Sequence, residues 1–183
     1  LAFNYFISGE NVFITGAGGT GKSELIKKFV RYAKEKGKRV QITSTTGCSA
    51  VLLGDGAKTI NSWAGIGLAK KNNKTILKNV IKNSLARHNW LSVDILIVDE
   101  VSMMSVKIFK LLNLIGQMFR KNDKYFGGIQ VIFTGDFLQL PPVGDKNDPD
   151  TEKFCFQCLI WDKMFKNQIE LKTIFRQNDK RTG

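Results

Sequence analysis

The chain has 183 residues, 43% of them apolar, and carries 28 Lys and Arg against 16 Asp and Glu, a net charge of +12. That length and apolar content suit one soluble-type domain with a sizeable core, and no apolar run approaches the roughly 20 residues of a membrane span. The opening LAFNYFISGE lacks the basic flank and small-residue cleavage site of a secretory leader, and no internal repeat or low-complexity tract interrupts the chain.

The first predicted strand, NVFITG (11–16), runs directly into glycines. GAGGTGKS (16–23) then satisfies the pattern G-x-x-x-x-G-K-[ST]. Small residues are needed there so that backbone N–H groups can close around phosphate oxygens, and a helix N-terminus adds its dipole. Gly16, Ala17, Gly18, Gly19, Thr20, Gly21, Lys22 and Ser23 are therefore the expected nucleotide cradle, with Lys22 reaching the β- and γ-phosphates and Ser23 ligating Mg²⁺. A chance glycine-rich turn is the competing reading, but the strand before and the helix after supply the context the pattern requires. Leu25, Ile26, Phe29, Val30 and Ala33 recur at helical spacing behind it.

RVQIT (39–43) reads as a second strand. Residues 56–93 contain no acid, yet hold Lys58, Lys70, Lys71, Lys74, Lys78, Lys82 and Arg87. A one-sign segment points to a polyanion such as nucleic acid, or to a solvated helical face. DILIVDE (94–100) is a third strand, apolar almost throughout, as in strands buried on both faces. Asp99 at its end stands where a carboxylate would hold Mg²⁺ through water. Glu100 beside it can orient and deprotonate an attacking water, or can be a surface acid or a partner for the dipole of the next helix.

That helix is marked by Val106, Phe109, Leu112, Ile115 and Phe119, with Ser105 as its expected N-cap. GIQVIFTGD (128–136) is a fourth strand, followed by Gln139 and the pair Pro141 and Pro142. If this strand lies beside the first, Gln139 emerges near the γ-phosphate, where an amide can both donate and accept. The prolines then make a stiff exit that could transmit a change at Gln139, or merely stop a strand. Cys155 and Cys158 have the spacing of half a zinc site, but Phe154, Phe156, Leu159, Ile160 and Trp161 surround them, which favours core packing. With Cys48 the cysteine count is three, and an odd number without a leader indicates an intracellular, reducing compartment. NQIELKTIF (167–175) reads as a fifth strand. Strands alternating with helices predict an α/β fold with a parallel sheet sandwiched between helices, and ligands beyond the carboxyl ends of its strands.

NVFITGAGGTGKS, TSTTGCSAVLL, INSWAGIG, LIVDEVSMM, FGGIQVIFTGDFLQLPPV and LKTIFRQ occur in that order. Together they strongly resemble the PIF (petite integration frequency) family of superfamily 1B DNA helicases, related to RecD, over about residues 9–178. The resemblance implies a RecA-like P-loop NTPase domain, ATP with Mg²⁺, and 5′-to-3′ movement on single-stranded and forked DNA. It implies work in DNA replication, repair or recombination, with telomere maintenance among the family's roles. By motif position, Lys22, Asp99, Glu100, Gln139 and Arg176 become the catalytic set, Gln139 as γ-phosphate sensor and Arg176 as the arginine of motif IV. Ser23 and Asp99 become the metal holders. Thr45, Thr46, Gly47, Asn61 and Ser62 fall in DNA-facing motifs, where hydroxyls and backbone donors meet phosphates. Trp63 could stack on a base or pack, and its apolar turn favours packing. Asn61 stands where the family commonly has histidine, so it can donate a hydrogen bond but carries no charge.

The family's adenine-reading Gln is expected upstream of Leu1 and its second RecA-like domain downstream, so residues 1–183 read as a fragment, motor domain 1A, expected to be monomeric and unable to unwind alone. Two other readings remain on the residues themselves. A P-loop phosphotransferase would need an arginine-rich lid and does not account for GDFLQLPP. A non-catalytic DNA-binding module would tolerate loss of Lys22, Asp99, Glu100 or Arg176, and all four are present.

Overall fold

The structure is a computed structural model, and it describes residues 1–172 apart from Gly19, Asp55 and Gln139. The chain begins with α1 (Ala2–Ile7), β1 (Val12–Thr15), α2 (Lys22–Glu35) and β2 (Val40–Ser44). Short elements follow: α3 (Gly47–Leu53), β3 (Lys58–Thr59), α4 (Ile60–Ala64), α5 (Asn73–Ile81) and α6 (Ser84–Ser92). Then come β4 (Ile95–Asp99), α7 (Val106–Arg120), β5 (Gln130–Gly135), α8 (Trp161–Met164) and β6 (Asn167–Glu170).

All six strands are parallel, in the order β3-β2-β4-β5-β1-β6. The expected five are present, and the sixth is β3, whose two residues are too few to show a period of two. Side chains alternate across the sheet, which explains why β4 is apolar from Ile95 to Val98. Ile95 and Ile97 join Val12, Ile14 and Ile132 beneath α1 and α2, against Ile26, Phe29 and Ala33. Leu96 and Val98 face the other way, joining Phe13, Val131 and Phe133 beneath α7, against Phe109, Leu112 and Ile115.

Helix starts follow the expected chemistry. The Ser105 hydroxyl accepts from the Ile108 N–H at 3.3 Å and opens α7. Thr46, Thr59, Asn72 and Asn83 cap α3, α4, α5 and α6 in the same way. Trp63 is 2% exposed and lies 4.8 Å, ring to ring, from Trp90, whose Nε1 donates to the Ala64 carbonyl. It packs. Cys155 and Cys158 are buried among core aromatics, and burial pushes the Cys155 thiol well above its usual range. Among the described residues no helix is long and apolar enough to cross a membrane.

Because β5 lies between β1 and β4, the carboxyl ends of all three emerge side by side. The phosphate-loop pattern leaves β1, the acid pair leaves β4, and the segment towards the two prolines leaves β5.

Candidate nucleotide site and adjoining nucleic-acid edge

The loop after β1 is held shut by its own side chains. Thr20 Oγ1 donates to the Ala17 carbonyl at 2.7 Å, and Lys22 Nζ donates to the carbonyls of Gly16 and, at 3.1 Å, Ala17. Gly16 has to be glycine: a Cβ there would come within 2.7 Å of Thr20 Oγ1 and 2.8 Å of the Leu171 carbonyl oxygen. Leu171 N–H in turn donates to the Thr15 carbonyl at 2.8 Å, so the exit from β6 braces the start of the loop. Lys22 and Ser23 lie in the first turn of the 14-residue α2, whose free N-terminal N–H groups face the loop.

Lys22, Ser23, Asp99, Glu100 and Asp136 line one cleft of about 860 Å³. Asp99 is fixed by two hydroxyls: Thr134 Oγ1 on β5 donates to Oδ1 at 2.6 Å, and Ser49 Oγ on α3 donates to Oδ2 at 3.4 Å. Glu100 has φ +60°, the left-handed region, which costs a non-glycine residue about 1–2 kcal/mol. The turn carries Glu100 out of the sheet and into a 3-10 turn (Val101–Met103). Gly135 permits the close approach of that turn, since a Cβ would lie 3.0 Å from the Val101 nitrogen. Burial raises the Glu100 carboxyl above its ordinary value and the Asp99 charge adds to the rise, while the Lys22 ammonium opposes it. The donor set suits a polyphosphate with a hard cation: an ammonium, a serine hydroxyl and a helix N-terminus on one wall, carboxylates on the other.

A second cleft of about 520 Å³ adjoins the first, with Thr45, Asn61, Lys70, Lys107, Pro142 and Asp148 in its walls. Thr45 joins the two. Its N–H donates to the Asp99 carbonyl at 3.2 Å, and its hydroxyl to the Glu100 carbonyl at 2.7 Å. The Thr45 hydroxyl is thus engaged within the protein, whereas its sequence position suggested an outward donor. Thr46 Oγ1 accepts from Ser49 N–H, and Ser62 N–H donates to Thr59 Oγ1. Asn61 Nδ2 donates to the Gly67 carbonyl at 2.9 Å, closing its own loop. Lys107, only 5% exposed, donates to the Lys71 carbonyl at 2.8 Å and pairs with Asp148 at 3.1 Å, tying the loop before α5 to the loop after Pro142.

Residues 4–183 match the PIF1-like helicase family. The chain belongs to that family. It is 38% identical over 174 residues to the ATP-dependent DNA helicase RRM3 of Saccharomyces cerevisiae, covering 92% of this chain and 23% of that protein. The crystal structure of Pif1 helicase from Candida albicans superposes with a TM-score of 0.85 at 36% identity, over 95% of this chain and 39% of that one. Pif1 helicase from Bacteroides in complex with ADP-AlF3 and single-stranded DNA gives 0.73 at 29% identity, over 94% of this chain and 40% of that one. The chain spans about a quarter of the length of the curated relatives it matches.

In this PIF1-like chain the described members of the expected set fall into two groups. Lys22, Ser23, Asp99 and Glu100 share the larger cleft, and Thr45 and Asn61 line the smaller one. Gly47 is exposed at the start of α3 and Ser62 is exposed on α4. Gly19, Gln139 and Arg176 lie outside the described residues. Ser49, Thr134 and Leu171 lie within the quoted motif segments, but neither they nor Lys107 is singled out there by spacing or chemistry. Thr134 alone leaves a trace in the sequence, a hydroxyl directly after the apolar run Val131, Ile132 and Phe133.

Proposed function

We propose that this chain is the ATP-hydrolysing motor domain 1A of a 5′-to-3′ DNA helicase, acting on single-stranded and forked DNA in replication, repair or recombination. The observation that carries the reading is Thr45. One residue at the rim of the second cleft is bonded to the backbone of both Asp99 and Glu100 in the first. A strand held at that rim and a phosphate held in the larger cleft would therefore act on the same turn.

In this reading Lys22 exchanges its bonds to the loop carbonyls for bonds to β- and γ-phosphate oxygens, and the loop's N–H groups close on the remainder. Ser23 and Asp99 would hold Mg²⁺, which supplies charge neutralisation on the phosphates. Glu100 orients a water and takes its proton as the water oxygen bonds to the γ-phosphorus and the bond to the bridging oxygen breaks, releasing ADP and phosphate. Its raised carboxyl makes it a better base than an ordinary glutamate. Gln139 and Arg176, by motif position, would sense the γ-phosphate and stabilise the charge that develops on it. Thr46, Gly47, Asn61 and Ser62 would hold backbone phosphates at the neighbouring edge. A second RecA-like domain of the same protein would complete both clefts, and the three free thiols suit a reducing intracellular compartment.

The test is ATP turnover of the full-length protein that carries this domain, with and without single-stranded DNA. Stimulation by DNA, and its abolition by Lys22→Ala, is the expected result. Turnover that ignores DNA and instead yields a phosphorylated small molecule would replace the motor with a phosphotransferase.

A further inference from the structure

Helix α5 shows two opposed faces. Ile76 and Val80 are buried against the core, while Lys74, Lys78 and Lys82 are exposed at intervals of four residues. At 100° per residue the lysine stripe is centred on the side opposite the two buried residues. None of the three lysines has an ion pair among the described residues, and no acid occurs between residues 56 and 93. Like charges four apart oppose the helix by about 0.2–0.5 kcal/mol per pair. Lys78 and Lys82 complement the dipole at the carboxyl end of this nine-residue helix, but Lys74 in its first turn opposes it, so the dipole accounts for only part of the stripe. The row is also continuous with the second cleft: Lys70, four residues before Lys74, lines that cleft together with Thr45 and Asn61. Lys107, buried in the same wall, fixes the Lys71 carbonyl and with it the loop that leads into α5.

Resting on the nucleic-acid reading above, we propose that the outward face of α5 is a second phosphate-backbone surface, which carries DNA on from the Thr45–Asn61 rim along Lys70, Lys74, Lys78 and Lys82. Successive lysines advance about 6 Å along the helix, so the row tracks consecutive phosphates of one backbone and reads no bases. The partner is the phosphodiester backbone of a longer single strand, continuing from the rim that Thr45, Asn61 and Lys70 line. Such a surface lengthens the footprint and raises the salt dependence of binding without touching the nucleotide cleft.

The test compares the full-length protein that carries this domain with its Lys74→Gln/Lys78→Gln/Lys82→Gln variant. Glutamine keeps helix propensity, and circular dichroism confirms the fold. Affinity is measured against salt for a short oligo-dT, a long oligo-dT and a tailed hairpin duplex. A variant of equal charge change, Lys124→Gln/Lys163→Gln/Lys166→Gln, alters a cleft at the amino ends of β5 and β6 and serves as the control. Expected is a plot of log affinity against log salt flatter by about 2 on the long single strand. A change confined to the duplex probe overturns the single-strand assignment. The short oligonucleotide and basal ATP turnover stay unchanged. Equal slopes for variant and parent, or an equal loss in the control, overturn the stripe while leaving the motor reading intact. A full-length parent protein that binds none of the probes overturns both.

Discussion

Thr45 at the end of β2 donates its hydroxyl to the backbone carbonyl of Glu100 at 2.7 Å, and its N–H reaches the Asp99 carbonyl. The bond crosses from β2 to the turn beyond β4, and it holds in place a glutamate whose backbone is left-handed. The residue proposed to face DNA is thereby wired to the residue proposed to activate water.

Thr45→Val removes that hydroxyl and keeps the branched shape. The lost bond is worth about 1 kcal/mol, so the melting temperature should fall by a few degrees. The informative readout is coupling. Nucleotide affinity should hold, since Thr45 does not line the larger cleft, while stimulation of turnover by single-stranded DNA should drop several-fold. Unchanged stimulation would leave Thr45 as a merely structural hydroxyl.

Thr134 and Asp99 make a comparable pair across β4 and β5, hydroxyl to carboxylate at 2.6 Å. Thr134→Val should leave the sheet intact, because valine suits a fully buried strand position. It frees Asp99 to rotate, with Ser49 as its remaining hydroxyl partner. Partners that orient a metal-holding group typically contribute 10- to 100-fold in affinity. The Mg²⁺ concentration for half-maximal turnover should therefore rise by about that factor, with turnover at saturating Mg²⁺ less affected.

The extent to which these relationships were legible in the sequence follows from how local they are. The phosphate loop is contiguous and constrained by sterics, so its pattern announces itself; β4 does so too, because burial on both faces demands an unbroken apolar run. Thr134 and Ser49 converge on Asp99 only through the parallel register that sets Ser44 beside Asp99 and Phe133 beside Val98, and no spacing along the chain encodes that. β3 is two residues long and passes directly into the five-residue α4, so neither expresses a period. The inward engagement of the Thr45 hydroxyl is not legible in the sequence, because its partner, a backbone carbonyl 55 positions away, leaves no mark on residue type.

Glu100 carries a prediction about pH. Its carboxyl is raised, chiefly by burial and then by Asp99, so in the folded chain its proton is held more tightly than in the unfolded one. The sign follows from linkage: the protonated form favours folding, this contribution is complete below the unfolded value, and it is lost as pH rises through the folded one. Glu100→Gln should therefore melt slightly higher than the parent at neutral pH, and the difference should vanish as pH falls below the usual glutamate range. The same substitution should lower ATP turnover at least 100-fold, since general-base assistance contributes about that much or more. Parallel melting curves at every pH would show that the carboxyl sits in an ordinary environment.

Trp63 separates packing from base stacking. It is buried against Trp90, near Phe126 beyond, on the α4–α6 side of the sheet. Trp63→Ala should cost about 3–5 kcal/mol of stability through the cavity it leaves, enough to threaten folding of the chain. Trp63→Phe keeps an aromatic ring and most of the volume, so it should fold with a smaller loss. If Trp63 packs, the phenylalanine variant binds single-stranded DNA with unchanged affinity and its fluorescence no longer reports the packed indole pair. If it stacked on a base instead, alanine and phenylalanine would separate by about 1–3 kcal/mol in DNA binding while stability barely moved, and the 2% exposure of the indole makes the first outcome the expected one.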